Sequence, residues 1–339
     1  MKSASVASVP IDFRTSAVPE TLPESSAAIE PVRRVGVVGL GRMGEAFARN
    51  IIADGYEVVV YDRSEGRRNL LAGVGAEGAS DLAGLASCQV VLTSLPDDEV
   101  LSDIALRAGG LVETLAPGAI HVSMSTVSPG LSRRLSQRHE GAGQGYVAAP
   151  VLGNPDLAHT RKLFVIASGT GSSIARVSPL LAGLGQRLFT LGDDPGVANL
   201  IKLTGNVLTA LTLESMGEVL ALLRKNGVDP RAAFDVFTNS LFDGKVHKTY
   251  GAKIVEERYS PPGMTAPLAL KDLRLALAEA ERASVPMPVT SLVHDRLIAM
   301  IARGWAEFDW SALGLLAASD AGLNSGQLSS AEAGQAGTV

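Results

Sequence analysis

The chain has 339 residues, of which 46% are hydrophobic, 19% charged and 4% aromatic, and its net charge is −5. Such a composition suits a globular α/β chain of two domains and excludes a disordered one. The acidic balance speaks against nucleic acid and an anionic membrane as partners. A single cysteine, Cys88, excludes an internal disulfide, fits a reducing, cytoplasmic setting and reads as packing. Five scattered histidines lack metal-ligand spacing, so no metal is expected.

Residues 1–31 show no periodicity and no apolar run of signal-peptide length, and read as a flexible leader. Order starts with the apolar strand at 34–38. The turn Gly39-Leu40-Gly41-Arg42-Met43-Gly44 follows, then a helix over 45–53, a strand over 57–61 and an acid, Asp62. Strand, G-x-G-x-x-G, helix, strand and acid at these spacings form the dinucleotide-binding fingerprint. Gly39 permits the tight turn, Gly41 admits a pyrophosphate and Gly44 lets helix and strand pack. The exposed amides and dipole at the helix start favour phosphate.

Further strands are expected at 89–94, 119–123, 145–149, 163–167 and 186–190, most with helices between them. This alternation argues for a doubly wound, mainly parallel sheet of Rossmann type over residues 32–195. Ligand chemistry then belongs outside the carboxyl ends of its strands. That places Leu95-Pro96-Asp97-Asp98, the loop ending at Thr126, and the loop through Leu152-Gly153-Asn154 beside the cleft.

Residues 196–227 read as one helix of roughly 45 Å, with Asp193-Asp194-Pro195 before it and Asn226-Gly227 as its stop. Lys202 is its only charged side chain between Val197 and Leu213, and Asn206 lies one turn on, over the same face. Taken alone, Lys202 reads as an edge lysine snorkelling to water. Beyond Gly227 no strand pattern remains. Helices at 229–239, 243–258, 267–283 and 288–303, broken at Pro261-Pro262-Gly263 and Pro286–Pro288, predict an all-α domain over 228–320, with a loose tail at 321–339.

Five motifs in order resemble the β-hydroxyacid dehydrogenase family, over about residues 32–320: G-L-G-R-M-G at 39–44, S-T-V-S-P at 125–129, A-P-V-L-G at 149–153, G-V-A-N-L-I-K-L-T-G-N at 196–206 and K-D-L at 271–273. The resemblance implies Lys202 as proton donor and acceptor, Asn206 holding substrate, Thr126 between nicotinamide and substrate, and Lys271 and Asp272 lining the cleft, with Lys271 near the cofactor. Without the family, Lys271 and Asp272 read as an exposed pair at a helix start. The family's substrate loop commonly reads D-A-P-V-S-G-G; here Ala148, Leu152 and Asn154 replace its acid, its serine and its second glycine.

These residues lead to hydride exchange between a nicotinamide and a small carbonyl or alcohol of hydroxyacid or semialdehyde type, with Lys202 as general acid and base. Leu152 favours an alternative, an NADPH-dependent imine reductase. Such relatives typically replace the helix lysine, which Lys202 speaks against. A non-catalytic cofactor-binding regulator is the third reading. For the cofactor, Asp62 favours NAD, whereas Arg63, Ser64, Arg67 and Arg68 suit the extra phosphate of NADP; the balance leans slightly to NADPH. The resemblance also implies a homodimer in which the helical domain of one copy closes the other's cleft.

Overall fold

The computed structural model describes residues 31–323. All but a few residues of the expected leader and tail lie outside that range. The chain alternates at first: β1 (Arg34–Val38), α1 (Arg42–Ala53), β2 (Glu57–Tyr61), α2 (Glu65–Ala72), β3 (Glu77–Gly78), β4 (Val90–Thr93), α3 (Asp98–Leu106), α4 (Leu111–Thr114), β5 (Ile120–Ser123), α5 (Pro129–Gly141) and β6 (Gly145–Ala148). Next come β7 (Val151–Leu152), α6 (Pro155–His159), β8 (Leu163–Gly169), α7 (Gly171–Gly183) and β9 (Gly185–Thr190). Helices complete it: α8 (Pro195–Lys225), α9 (Pro230–Thr238), α10 (Lys245–Val255), α11 (Ala266–Arg282), α12 (Pro288–Ala302) and α13 (Leu313–Asp320).

The sheet runs β3-β2-β1-β4-β5-β6-β8-β7, with β9 on the other side of β8. From β3 to β6 every pairing is parallel, and the central strands β1, β2 and β4 are rich in buried Val and Leu because helices cover both faces. The order reverses direction between β1 and β4, which opens a crevice at their carboxyl ends. Two pairings depart from the parallel expectation: β8 runs antiparallel to β6 and to the short β7. The chain continues past β6 into Val151-Leu152, turns back through the single turn of α6 and enters β8 running the opposite way, so that β8 pairs with both preceding strands as a hairpin does.

α8 is the axle of the fold. Asp194 caps its start through a 2.9 Å bond from Gly196 N and is itself held by Arg133, while Pro195 occupies the first turn, where no donor is needed. Gly227, at φ 74°, turns the chain out of the helix. By length and apolarity alone α8 qualifies as a membrane span. Its inner face, however, packs on the sheet and on α5, α10, α11, α12 and α13, and carries Lys202, Asn206 and Glu214. Around it Leu203, Val207, Leu213, Leu273, Leu297, Trp310 and Leu316 form the helical core.

Candidate active site

A cleft of about 910 Å³ lies between the carboxyl ends of β1, β4 and β5 and the helices α8 and α11. At its floor Gly39 takes φ 86°, and a side chain there or on Gly44 would strike backbone carbonyls; Gly41 faces open space. No side chain caps α1, so its first amides remain directed at whatever approaches Gly41. Open approach, uncapped amides and forbidden side chains together fit a dinucleotide pyrophosphate.

Asp62 follows β2 and is 7% exposed. Its Oδ2 accepts from Leu40 N at 2.8 Å and its Oδ1 from Ser64 N at 2.8 Å. The carboxylate thus ties the glycine turn to the start of α2. Arg63 and Arg67 stand exposed on the cleft wall next to it, with Arg67 Nη1 3.6 Å from Asp62 Oδ2. Arg68 turns back onto Asp62 O. Leu40 is buried in the sheet core, and Leu40, Gly44 and Ser64 lie behind the surface formed by Gly39, Gly41, Arg42 and Met43.

Leu95, Pro96 and Thr126 line the same cleft above β4 and β5. Leu95 N donates to Ser125 Oγ at 2.9 Å, which joins the two loops. Lys271 reaches across from α11, and its Nζ donates to Pro96 O at 2.9 Å and Thr126 O at 2.6 Å. Met264, Thr265 and Leu268 form the roof, with Pro262 O accepting from Arg42. Sequence reasoning read the Pro261-Pro262-Gly263 stretch only as a helix break. Buried Asp309 is what holds it: its Oδ2 accepts from Gly263 N and from Lys253 Nζ, both at 2.7 Å. The chain's own α11 and 262–265 loop therefore form one wall of the cleft.

Lys202 projects from α8 into this space and is 7% exposed. Its Nζ donates to Asn206 Oδ1 at 3.0 Å, and Asn206 Nδ2 donates to Asp272 Oδ2 at 2.5 Å. Asp272, also buried, pairs through Oδ1 with Lys271 Nζ at 3.1 Å. Burial pulls the Lys202 pKa down to about 8, with Asp272 pulling it back up and Lys271 pushing it further down. The group can therefore hold or release a proton near neutrality.

The third wall comes from the loop around β7. Gly153 (φ 141°) and Asn154 line the cleft; Leu152 does not. Its methyls lie against Gly205 of α8 and it packs with the buried cluster containing Leu101 and Leu131. This corrects the expected contact with substrate. In the β7–β8 pairing Leu152 is opposite Phe164, and alternation along the strand turns it away from Val151 and the cleft.

Two family models cover nearly all of this architecture. One describes the NAD binding domain of 6-phosphogluconate dehydrogenase and matches residues 34–192; the other, the NAD-binding of NADP-dependent 3-hydroxyisobutyrate dehydrogenase, matches residues 196–316. An uncharacterized oxidoreductase of Bacillus subtilis is 36% identical over 83% of this chain and 98% of its own length. Among solved structures, 3-hydroxyisobutyrate dehydrogenase from Salmonella typhimurium shares the fold at a TM-score of 0.76, with 22% identity over 84% of this chain and 99% of that one. An imine reductase from Streptomyces aurantiacus overlays less closely, at a TM-score of 0.56 with 21% identity over 83% of this chain and 98% of its own. The protein is thus an oxidoreductase that uses NAD or NADP. It belongs to the β-hydroxyacid dehydrogenase family.

Proposed function

We propose that Lys202 is the general acid and base for reversible reduction of a small aldehyde or ketone that carries a carboxylate. The observation behind this reading is the buried Lys202–Asn206–Asp272 chain on the wall of the cleft that starts at the glycine turn. Bound nicotinamide supplies or accepts the hydride. As negative charge grows on the substrate oxygen, a protonated Lys202 Nζ stabilises it and gives up its proton; in the oxidative direction the neutral amine takes that proton. Asn206 holds the amine at the wall, and its own orientation is fixed by Asp272. Thr126 stands at the mouth of the same loop, and Lys271 holds that loop to α11.

For the substrate carboxylate, Asn154 takes the place of the family serine. Its Oδ1 already caps α6 by accepting from Leu157 N at 3.0 Å, so its Nδ2 is the group left over, and it donates to nothing among the described residues. Gly153 beside it offers an exposed backbone. For the cofactor, Asp62 is engaged with two amides while Arg63 and Arg67 are exposed, which supports a preference for NADPH. A homodimer in the cytoplasm completes the reading.

The test is a panel of glyoxylate, succinic semialdehyde, an uncharged aldehyde of similar size and a cyclic imine, each with NADPH and NADH. The acids with NADPH are expected to give the highest kcat/KM. Preference for the imine would move the protein to the imine reductases, and cofactor binding without turnover of any compound would make it a non-catalytic binder.

A further inference from the structure

A second cavity, of about 140 Å³, lies among the helices, between the C-terminal half of α8, the start of α9, the end of α10 and α13. None of the residues around it lines the catalytic cleft, and along α8 its wall residue Ala221 is roughly 28 Å from Lys202. Leu220, Ala221, Ile254 and Ala318 form an apolar interior, none more than 6% exposed. Backbone contact fixes the floor. A Cβ on Gly217 would lie 2.8 Å from Gly314 Cα, and one on Gly314 2.5 Å from Ile254 Cγ2. α8, α13 and α10 therefore touch there already and cannot draw closer to fill the space. The rim is polar. Arg224 Nη1 donates to Glu257 Oε1 at 3.0 Å, and the two side chains are 25% and 23% exposed. Glu257 ends α10 at φ 51°, a left-handed conformation that glycine takes more easily, so what this residue adds is its carboxylate. Behind the pair stands Tyr259, 1% exposed, whose hydroxyl has no partner among the described residues. Burial pushes its pKa well up, and it feels both rim charges, Glu257 adding to the rise and Arg224 opposing it. A buried tyrosine hydroxyl normally finds a hydrogen-bond partner, because leaving it without one is costly.

We propose that this cavity is a binding site for a small neutral molecule whose polar end both accepts and donates hydrogen bonds, a primary amide being the simplest case. Size comes first: a cavity of roughly 150 Å³ takes benzene, so a ligand of about six heavy atoms fits. Charge comes next. Arg224 and Glu257 neutralise each other, so a carboxylate or an ammonium would have to displace one partner from the other and leave it unpaired. Hydrogen-bond direction decides the rest. The Tyr259 hydroxyl and the remaining N–H groups of Arg224 donate, while Glu257 Oε2 accepts. An amide turns its oxygen to the donors and its NH₂ to the carboxylate, and its alkyl part lies against Leu220, Ile254 and Ala318. Occupation gives the Tyr259 hydroxyl the partner it lacks within the chain.

The probe is isobutyramide, followed through the methyl resonances of Ile254 and Leu220 in the full-length protein. A ligand of this size is expected to bind at about millimolar concentration and to shift both resonances along a saturable curve. Isobutyrate and isobutylammonium have nearly the same bulk and should bind at least about tenfold more weakly, because each disturbs the rim ion pair. Tyr259→Phe keeps the ring and removes the donor. Affinity should then fall about tenfold, and the ligand-free variant should melt no lower than wild type. Ala221→Leu fills the cavity and should abolish the shift, with circular dichroism confirming the fold. Turnover should stay unchanged in both variants, since neither residue lines the cleft. No saturable shift at Ile254 in wild type, an affinity that Tyr259→Phe leaves unchanged, or a shift that survives in a folded Ala221→Leu overturns the site. Equal or tighter binding of isobutyrate or isobutylammonium overturns the neutral ligand class, and the proposal with it.

Discussion

Asp272 determines which way round Asn206 stands. The carboxylate accepts from Asn206 Nδ2 at 2.5 Å, and an ionised carboxylate can only accept. The amide oxygen must therefore face the other way, towards Lys202 Nζ at 3.0 Å. A flipped amide would set oxygen against carboxylate and NH₂ against ammonium. Asp272 thus acts through Asn206 and, by its charge, on the Lys202 pKa, which it pulls back up against burial.

Asp272→Asn should accordingly do two things. The new amide oxygen can still accept from Asn206 Nδ2, but a neutral acceptor holds it less firmly, by about 1 kcal/mol, so turnover should fall roughly fivefold. The Lys202 pKa should also drop below about 8. Reduction needs the ammonium, so its rate falls as pH rises through that pKa, and the variant's falling limb should lie at lower pH than wild type's. A pH profile of kcat/KM checks both. An Asp272 that only supports the fold would lower the rate and leave the limb in place.

Lys202→Met keeps the volume and removes the proton. Turnover should drop by about 10² to 10⁴, the usual scale for a lost general acid. Stability should move the other way. Holding Lys202 at about 8 against its ordinary 10.5 means the buried ammonium opposes folding by about 3 kcal/mol at pH 7, less whatever Asn206 loses with its partner. The sign follows from proton counting. The penalty is complete below pH 8, fades as pH rises towards 10.5, and is absent above. Thermal unfolding at pH 7 and pH 10 should show a higher midpoint for the methionine variant at the first pH and a smaller difference at the second.

Much of this is legible in the sequence, because the informative residues sit next to each other along the chain. The glycine turn, the following helix and Asp62 are local signals of backbone conformation, and Lys202 with Asn206 is a single helical turn. What escaped depended on contacts between distant segments. Asp309 holds Gly263 from 46 residues away, and neither residue carries a periodicity that would betray it. Strand alternation at Leu152 was hidden because β7 is only two residues long, too short to show a period. The expected role of Asp62 was also incomplete: its two amide partners are visible only once the turns are folded against each other.

Cofactor choice should depend on Arg63. The side chain is exposed on the cleft wall, and a guanidinium contact with a phosphate contributes about 1.5–3 kcal/mol. Arg63→Ala should raise the KM for NADPH roughly ten- to a hundredfold and leave NADH within a few-fold. Equal losses for both cofactors would remove the phosphate-binding role.

A buried histidine pair should set the acid limit of the fold. Gln144 donates through Nε2 to Val112 O and Leu115 O, so its Oε1 accepts from His139 Nδ1 at 2.7 Å. His139 Nε2 then accepts from His121 Nδ1 at 2.8 Å, and His121 Nε2 from Thr93 Oγ1 at 3.0 Å. This one-way chain keeps both rings neutral. Burial lowers the His139 pKa to about 4, and that of His121 well below its ordinary 6.5, with His139 adding to the effect. The unfolded chain therefore binds more protons between pH 6.5 and 4, and stability should decline as pH falls through that window. Thermal midpoints across it, with nitrogen NMR showing both rings as Nδ1–H tautomers at pH 6, check the assignment.

The substrate loop gives the sharpest contrast between two neighbouring residues. Leu152 stands where the family has serine, yet its methyls lie against Gly205 and it does not line the cleft. Leu152→Ser should therefore leave the preference among substrates unchanged and cost stability through lost packing, about 2–5 kcal/mol on the scale of large-to-small core substitutions, less for a partly buried side chain. Asn154 faces the cleft with its oxygen committed to Leu157 N and its Nδ2 open. Asn154→Ala should weaken carboxylate substrates roughly ten- to a hundredfold in KM and leave an uncharged aldehyde of similar size nearly unaffected. The alanine also removes the cap of α6, so Asn154→Ser, which keeps a capping oxygen, separates the two effects: it should hold stability and still bind the acids less well. Equal losses for charged and uncharged substrates in both variants would take the carboxylate away from Asn154.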